Sequence, residues 1–141
     1  MTANPEFEAD VRASFAAQGL MATLNARLDR VVPGDVAISA PISDAVAQQD
    51  GFAHAGLLWS LGDSAAGYAA LSLMAPGERV LTMEMKINLM RPGVGDRVLA
   101  EGHVIREGRQ VLTTATEVYA LTGETRKHIA TMLGTMMRIR P

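Results

Sequence analysis

The 141-residue sequence contains no cysteine, which excludes disulfides, thiolate metal sites and a cysteine nucleophile. It also lacks an excess of charge of either sign. The 13 basic and 15 acidic residues give a net charge of −2, which provides no general attraction to phosphate backbones or anionic membrane surfaces. Nucleic acid is therefore not an expected partner.

We also expect no targeting segment. The first ten residues hold three acids and no basic residue, the reverse of a signal peptide, and no apolar run follows them. We expect a cytoplasmic location. No repeat, low-complexity run or linker interrupts the chain, so residues 1–141 are predicted to form a single domain.

Local patterns predict a mixed helix and strand order. A cap at Asn4-Pro5 and a stop at Gly19 place an N-terminal helix within residues 1–20. Extended residues 26–42, with a turn at 33–35, follow it. Leu81, Met83, Met85, Ile87 and Leu89 then alternate with Thr82, Glu84, Lys86 and Asn88, which indicates a half-buried strand. Short turns predict three further antiparallel strands, in a four-strand meander, over 96–107, 109–122 and 125–139.

Residues 54–74 are apolar or small on almost every side and predict a long buried helix. Its 21 residues would extend roughly 30 Å, enough to cross a membrane. However, Asp63 in the middle would cost about 3 kcal/mol there, and no basic flank fixes an orientation. We therefore expect no membrane span. One sheet covers only part of such a helix, so a second copy of the chain is the expected partner.

Asp63 is the main candidate for chemistry. Apart from His54, it is the only acidic or basic residue between Asp50 and Glu78. Ser64 and Gly67 share its face of the helix, a small and polar face along which a ligand or partner could lie. A poorly solvated carboxylate suits a general base. The alternative is a structural carboxylate held by hydrogen bonds from a neighbouring element.

The start of the same helix offers a second element of a site. Backbone N–H groups near Ala55 and Gly56 have no partner within the helix and could hold the oxygen of a thioester carbonyl. The alternative is an ordinary cap. Ala55 and Asp63 lie about 12 Å apart along the helix, too far to act on one carbonyl carbon. If both act, they come from two chains of a homodimer with composite sites.

A family resemblance rests on three segments. Residues 48–56 read Gln-Gln-Asp-Gly-Phe-Ala-His-Ala-Gly, and residues 63–67 read Asp-Ser-Ala-Ala-Gly. They resemble the Gln/Asn, His-Gly-Gly and Asp/Glu pattern of hotdog-fold acyl-CoA thioesterases of the 4-hydroxybenzoyl-CoA and phenylacetate-pathway type. Residues 85–92 resemble the next strand of that family. The similarity spans about residues 20–139.

The resemblance implies an α+β hotdog fold, in which a five- to six-stranded antiparallel sheet wraps the long helix. It also implies that two subunits join their sheets into a dimer, which often pairs into a tetramer. By position, Asp63 would be the nucleophile or the base, Gln48 would orient the water or thioester, and the Ala55 N–H would polarise the carbonyl. His54 and Gly56 match the helix start, and Thr82 matches a water-holding hydroxyl. Substrate contacts would come from Ser64, Gly67, Asn88, Arg91, Arg106 and Arg109.

The implied function is hydrolysis of an acyl-CoA thioester without metal or cofactor, since coenzyme A is part of the substrate. Ala55 departs from the glycine of the family, and its methyl group could narrow the range of acyl groups accepted. This departure leaves an alternative open, a hotdog protein that binds or senses acyl-CoA without turnover. A hotdog hydratase is disfavoured because no Asp with a His five residues later occurs in an active-site loop. His103 and His128 lack the spacing of a metal site.

Overall fold

A computed structural model describes residues 4–141. The predicted N-terminal helix is two helices, α1 (Phe7–Ala17) and α2 (Gly19–Thr23); residues 1–3 lie outside the described residues. Gln18 separates the two helices with an extended backbone. The predicted stop at Gly19 is therefore one residue late, and the chain re-enters a helix at the glycine.

The strands are β1 (Arg27–Val32), β2 (Asp35–Pro41), β3 (Arg79–Leu89), β4 (Arg97–Glu107), β5 (Val111–Thr122) and β6 (Thr125–Ile139). They form one antiparallel sheet in the order β1-β2-β4-β5-β6-β3. The turn at Pro33-Gly34-Asp35 forms as predicted, with Gly34 at a φ of 77° that favours glycine.

The prediction of a four-strand meander is wrong for β3. This strand pairs with β6, while β4 pairs with β2 and β5. The connection after β3 is no tight hairpin, because its N–H groups bond to other strands. Met90 and Arg91 donate to the Ile129 carbonyl, and Asp96 donates to the Leu121 carbonyl. The segment thus passes β6 and β5 before β4 begins, and β3 becomes an edge strand.

The predicted alternation along β3 is interrupted by a register shift between Thr82 and Glu84. The extra residue, Met83, reverses the phase of the side chains. Thr82 therefore faces the helix side, as do Met85 and Ile87 beyond the shift, which pack on the core. Simple alternation had placed Thr82 on the opposite face from Met85.

The long helix, α3 (Ala55–Leu71), lies on the sheet and is shorter than the predicted 54–74. His54 is its cap, and residues 72–74 form a turn beyond it. The helix buries one face against the sheet but leaves a stripe partly exposed, including Trp59 at 39%. One helix wrapped by a six-stranded antiparallel sheet is the hotdog fold. Within residues 4–141, no helix is both long and apolar enough to cross a membrane.

Two glycines set the distance between α3 and the sheet. Gly62 on the helix lies against Met132 of β6, and its carbonyl accepts a hydrogen bond from the Thr116 hydroxyl at 3.2 Å. Gly102 on β4 lies under the helix backbone, where an added Cβ would sit 2.5 Å from Ala65 C and Ala66 N. Gly102 therefore has no room for a side chain, and the helix backbone lies directly on β4 there, whereas at Gly62 the Met132 side chain fills the space.

We expect Gly102→Ala to lower the free energy of unfolding by about 2–3 kcal/mol, because the methyl group would push the helix backbone off the sheet. Urea unfolding followed by circular dichroism measures the change. Gly19→Ala is the matched control, since a Cβ there meets nothing within 4 Å. Equal stability of the two variants would contradict the close contact.

Candidate active site

Asp63 lies at the middle of α3, partly buried, where the helix faces the edge strand β3. Its Oδ1 accepts a hydrogen bond from the Thr82 hydroxyl at 2.7 Å. Its other carboxylate oxygen has no hydrogen-bond donor among residues 4–141. Thr82 thus fixes one oxygen and leaves the other available for a water molecule or a substrate.

A cavity of about 300 Å³ opens beside this carboxylate. One wall comes from β3 and another from α3, and the N-terminal segment closes a third side. Gly67 has open space where a Cβ would stand, so the cavity extends along the helix. The lining residues are Ser14, Gln18, Asp63, Ser64, Gly67, Tyr68, Val80, Leu81 and Thr82.

His54 organises the start of α3. Its backbone is extended, and its Nδ1 accepts a hydrogen bond from the Gly56 N–H at 2.7 Å. The His54 carbonyl accepts from the Leu57 N–H at 2.9 Å. The Ala55 N–H has no acceptor within residues 4–141. Of the two backbone N–H groups expected to be available at this helix start, only that of Ala55 is, because the Gly56 N–H already donates to His54 Nδ1.

Gln48 shapes the loop that precedes the helix. Its side-chain carbonyl accepts from the Asp50 N–H at 2.6 Å and from the Phe52 N–H at 3.2 Å. The side-chain N–H groups of Gln48 have no acceptor in the described part of the chain. Gln48 and Ala55 line a second cavity, of about 390 Å³, with Phe52, Ala53, Leu58, Leu89, Met90, Arg91, Pro92 and Gly93.

The two cavities share no lining residue. Asp63 lies eight positions beyond Ala55 on α3, about 12 Å along the axis, and the two side chains open at different ends of β3. A single chain therefore does not bring the carboxylate and the helix-start donor to one carbonyl group.

The structure divides the predicted substrate contacts between these places. Ser64 and Gly67 lie with Asp63, whereas Arg91 lies with Gln48 and Ala55 and donates to the His128 carbonyl at 3.0 Å. Asn88 is exposed on β3 and lines neither cavity.

Arg106 and Arg109 flank the turn between β4 and β5, at the end of the sheet where Thr82, Met136 and Leu112 are paired side by side. The turn is held in place by Arg138 and Arg140, which both donate to the Arg109 carbonyl. Arg91 lies at the opposite end of β3. One chain therefore does not gather the three arginines that are predicted to contact the substrate.

Sequence reasoning missed three polar residues of the first cavity, Ser14, Gln18 and Tyr68. Gln18 accepts from the Ser64 hydroxyl at 3.1 Å and donates to the Tyr68 hydroxyl at 3.0 Å, and the Ser14 and Tyr68 hydroxyls are 3.3 Å apart. The sequence offered one signal for Tyr68, because it is the only tyrosine within residues 54–74. Nothing local in the sequence indicates that Ser14 and Gln18 pack beside it.

Among residues 4–141, no group of three or more histidine, aspartate or glutamate side chains is arranged to hold a metal ion.

Comparison with known proteins identifies the class. The Thioesterase superfamily model matches residues 50–127, which include His54, Asp63 and Thr82. A thioesterase family protein from Silicibacter pomeroyi is 41% identical, with a TM-score of 0.93 over 96% of this chain and 99% of that one. The chain is a hotdog-fold protein and belongs to the thioesterase superfamily. Membership of this superfamily supports thioester hydrolysis as the activity.

Three other similarities are more distant. The Staphylococcus aureus protein SAV0944 is 26% identical, with a TM-score of 0.76 over 84% of this chain and 97% of that one. The PaaI protein from the Escherichia coli phenylacetic acid degradation operon shares the fold at 21% identity, with a TM-score of 0.85 over 98% and 96%. A provisionally named esterase of Saccharolobus solfataricus, SSO2140, is 28% identical over 94 residues, which are 67% of this chain and 66%, just under two thirds, of that protein.

We expect His54→Ala to lower the free energy of unfolding by about 1 kcal/mol, because the helix loses the acceptor for the Gly56 N–H. His54→Ser should recover most of this loss, since serine is an effective helix cap. Thermal unfolding of the two variants measures the difference. If serine is no better than alanine, capping does not explain the role of His54.

Proposed function

We propose that the protein hydrolyses an acyl-CoA thioester to a free acid and CoA at two composite sites of a homodimer. Asp63 of one subunit acts as nucleophile or general base. The Ala55 N–H and the Gln48 amide of the partner subunit hold the thioester carbonyl. The observation that carries the proposal is the state of the Asp63 carboxylate in its cavity beside an edge strand. Thr82 donates to one of its oxygens, and the other oxygen has no donor among residues 4–141.

Two chemical routes fit this carboxylate. As a base, Asp63 takes a proton from a water molecule, and the resulting hydroxide attacks the carbonyl carbon. As a nucleophile, it attacks the carbon itself and forms an anhydride, which water then hydrolyses. In both routes the C–S bond breaks and CoA leaves as the thiolate. The carbonyl oxygen gains negative charge in both, which a preorganised N–H donor stabilises.

The edge strand β3 supports a dimer. Its outer N–H and C=O groups have no strand partner among the described residues, a feature that favours pairing with another chain. Large apolar side chains near this edge are also exposed: Leu81 (59%), Met83 (58%), Leu89 (54%) and Met90 (45%). Pairing of β3 with its copy would join two sheets and cover these side chains.

Antiparallel pairing also explains why the site is divided. Thr82 lines the Asp63 cavity and Leu89 lines the Ala55 cavity, and the two residues are separated by roughly 23 Å along β3. A two-fold axis near the middle of β3 reverses the partner strand. The Gln48 and Ala55 cavity of one subunit then approaches the Asp63 cavity of the other.

The same reversal gathers the basic residues. Arg91 of the partner subunit would approach the end of the sheet that carries Arg106 and Arg109. Arginine is well suited to bidentate phosphate contacts, so this end would receive the phosphates of CoA. Asn88, exposed on β3, would lie along the path between the phosphates and the thioester.

A substitution pattern in a related protein agrees with the proposed pair. Two structures of SAV0944 carry alanine in place of a glutamine and of a glutamate that are fifteen positions apart. Gln48 and Asp63 have the same separation. The comparison supports treating this amide and this carboxylate as one functional pair.

We expect Asp63→Asn to reduce CoA release by at least about a hundredfold, because asparagine can neither take the proton nor attack the carbonyl. The dimer and the melting temperature should persist, since the amide oxygen still accepts from Thr82. Thiol release across a broad panel of acyl-CoAs measures turnover, and light scattering measures assembly.

Asp44→Asn is the control for that experiment, because it makes the same change on an exposed carboxylate outside both cavities. Undiminished turnover in Asp63→Asn would remove Asp63 from the mechanism. Acyl-CoA binding without CoA release by the unmodified protein would favour a non-catalytic binding protein instead.

We expect Ala55→Pro to reduce turnover by about 10²–10³-fold, because it removes the proposed oxyanion donor. Proline is tolerated at the first position of a helix, and His54 already has the extended backbone that a following proline requires. Heterodimers of Ala55→Pro with Asp63→Asn should regain about half of the normal turnover, since one composite site carries both changes and the other carries neither. Purified, differently tagged heterodimers measure this recovery.

No recovery in those heterodimers would place the donor and the carboxylate of each site on one chain. Ala55→Gly serves as the control, because it keeps the N–H and introduces the glycine that the family pattern has at this position.

A further inference from the structure

The Asp63 cavity has a polar wall that the proposed chemistry does not use. It lies at the junction of α1 and α2, where the Gln18 side chain bridges to α3. Gln18 accepts from the Ser64 hydroxyl and donates to the Tyr68 hydroxyl. Ser14 on α1 bonds to the same Tyr68 hydroxyl. These bonds fix the donors and acceptors of the wall in position beside the cavity.

This wall retains hydrogen-bonding capacity for a ligand. Between two hydroxyl groups, one donates its hydrogen and the other accepts it. If Ser14 donates to Tyr68, the Tyr68 hydrogen remains available, and if Tyr68 donates, the Ser14 hydrogen remains available. Gln18 also keeps a second amide hydrogen and a second lone pair. Either arrangement leaves at least one donor for a group inside the cavity.

The position of the wall relative to Asp63 sets the length that an acyl group needs in order to reach it. Gly67 is one helical turn beyond Asp63, about 6 Å along the axis, and its missing side chain leaves open space in the cavity. Tyr68 follows it. An extended chain covers about 6 Å in roughly five bonds. Val80 and Leu81 provide an apolar wall opposite.

We propose that Ser14, Gln18 and Tyr68 form the far wall of the acyl subsite and select acyl groups with a hydrogen-bonding group roughly five bonds beyond the thioester carbonyl. This inference rests on the proposed function, because it takes the Asp63 cavity as the place where the acyl group lies. The cavity volume of about 300 Å³ corresponds to roughly ten water-sized units, which fits a short acyl group.

The selectivity follows from the cost of unpaired groups. A hydroxylated acyl group pairs with the free donor or acceptor of the wall. An apolar acyl group of the same length displaces water from these groups and leaves them unpaired, which weakens binding. The contacts of the N-terminal segment, far in sequence from Asp63, thus determine which thioesters are hydrolysed.

The test compares 5-hydroxypentanoyl-CoA with hexanoyl-CoA, which differ by a terminal hydroxyl in place of a methyl group. The ratio of kcat/KM for the two should favour the hydroxylated thioester about tenfold. Gln18→Leu and Tyr68→Phe should each reduce this ratio several-fold, with the effect mainly in KM. Tyr68→Phe keeps the ring that packs edge-on against Phe15, so it remains informative if Gln18→Leu does not fold.

Gln110→Leu is the matched control, since it makes the same change on an exposed glutamine at the turn between β4 and β5 and should leave the ratio unaltered. Calorimetric titration of the same two thioesters into the Asp63→Asn variant, with and without Tyr68→Phe, gives the ratio of dissociation constants without turnover.

The outcomes separate the two proposals. No hydrolysis of any acyl-CoA, together with a binding ratio that depends on Tyr68, overturns the proposed function and supports the selective wall. Hydrolysis with equal ratios in the unmodified protein and both variants supports the function and overturns the wall. Equal binding and no hydrolysis overturn both.

Discussion

The close contact between α3 and the sheet is the constraint on which the rest of the structure depends. Gly102 leaves no side chain between β4 and the helix, so the helix backbone lies directly on that strand, and at Gly62 the Met132 side chain of β6 fills the space against the helix. At this depth, the side of the helix that faces the edge strand β3 carries Asp63. A bulge at Met83 turns Thr82 to meet it. Close packing of the helix on the sheet thus fixes where the Asp63 carboxylate lies, although its hydrogen-bond partner, Thr82, is not a core residue.

The proposed site needs two chains, and the edge strand β3 offers a way to bring them together. Asp63 and Ala55 are on one helix and cannot converge, because a helix is rigid and its rise is fixed. Reversal of β3 in a two-fold pair exchanges its ends, which would place each half-site against the other. The exposed apolar side chains along β3, the separation of the arginines and the separation of the two cavities all have the same explanation in this arrangement.

The short N-terminal segment adds a role beyond covering the helix. Gln18 has an extended backbone that separates α1 from α2, and its side chain forms hydrogen bonds to α3. It therefore links the position of α1 to the shape of the Asp63 cavity. Ser14 and Gln18 of the proposed acyl-selective wall would then lie outside the helix that carries Asp63, which allows these two positions to vary while the catalytic helix is kept.

The sequence alone determined the α+β class, the buried helix, the β1 to β2 turn and the isolation of Asp63, because periodicity, turn residues and a single charge in an apolar segment are local signals. It failed for the sheet order, since pairing of β3 with β6 depends on contacts over about fifty residues that leave no local pattern. It failed for the face of Thr82, because a one-residue bulge has no distinctive composition. The contacts of Ser14 and Gln18 with Tyr68 were decided only by the tertiary structure, because they form between surfaces that meet only after the chain has folded.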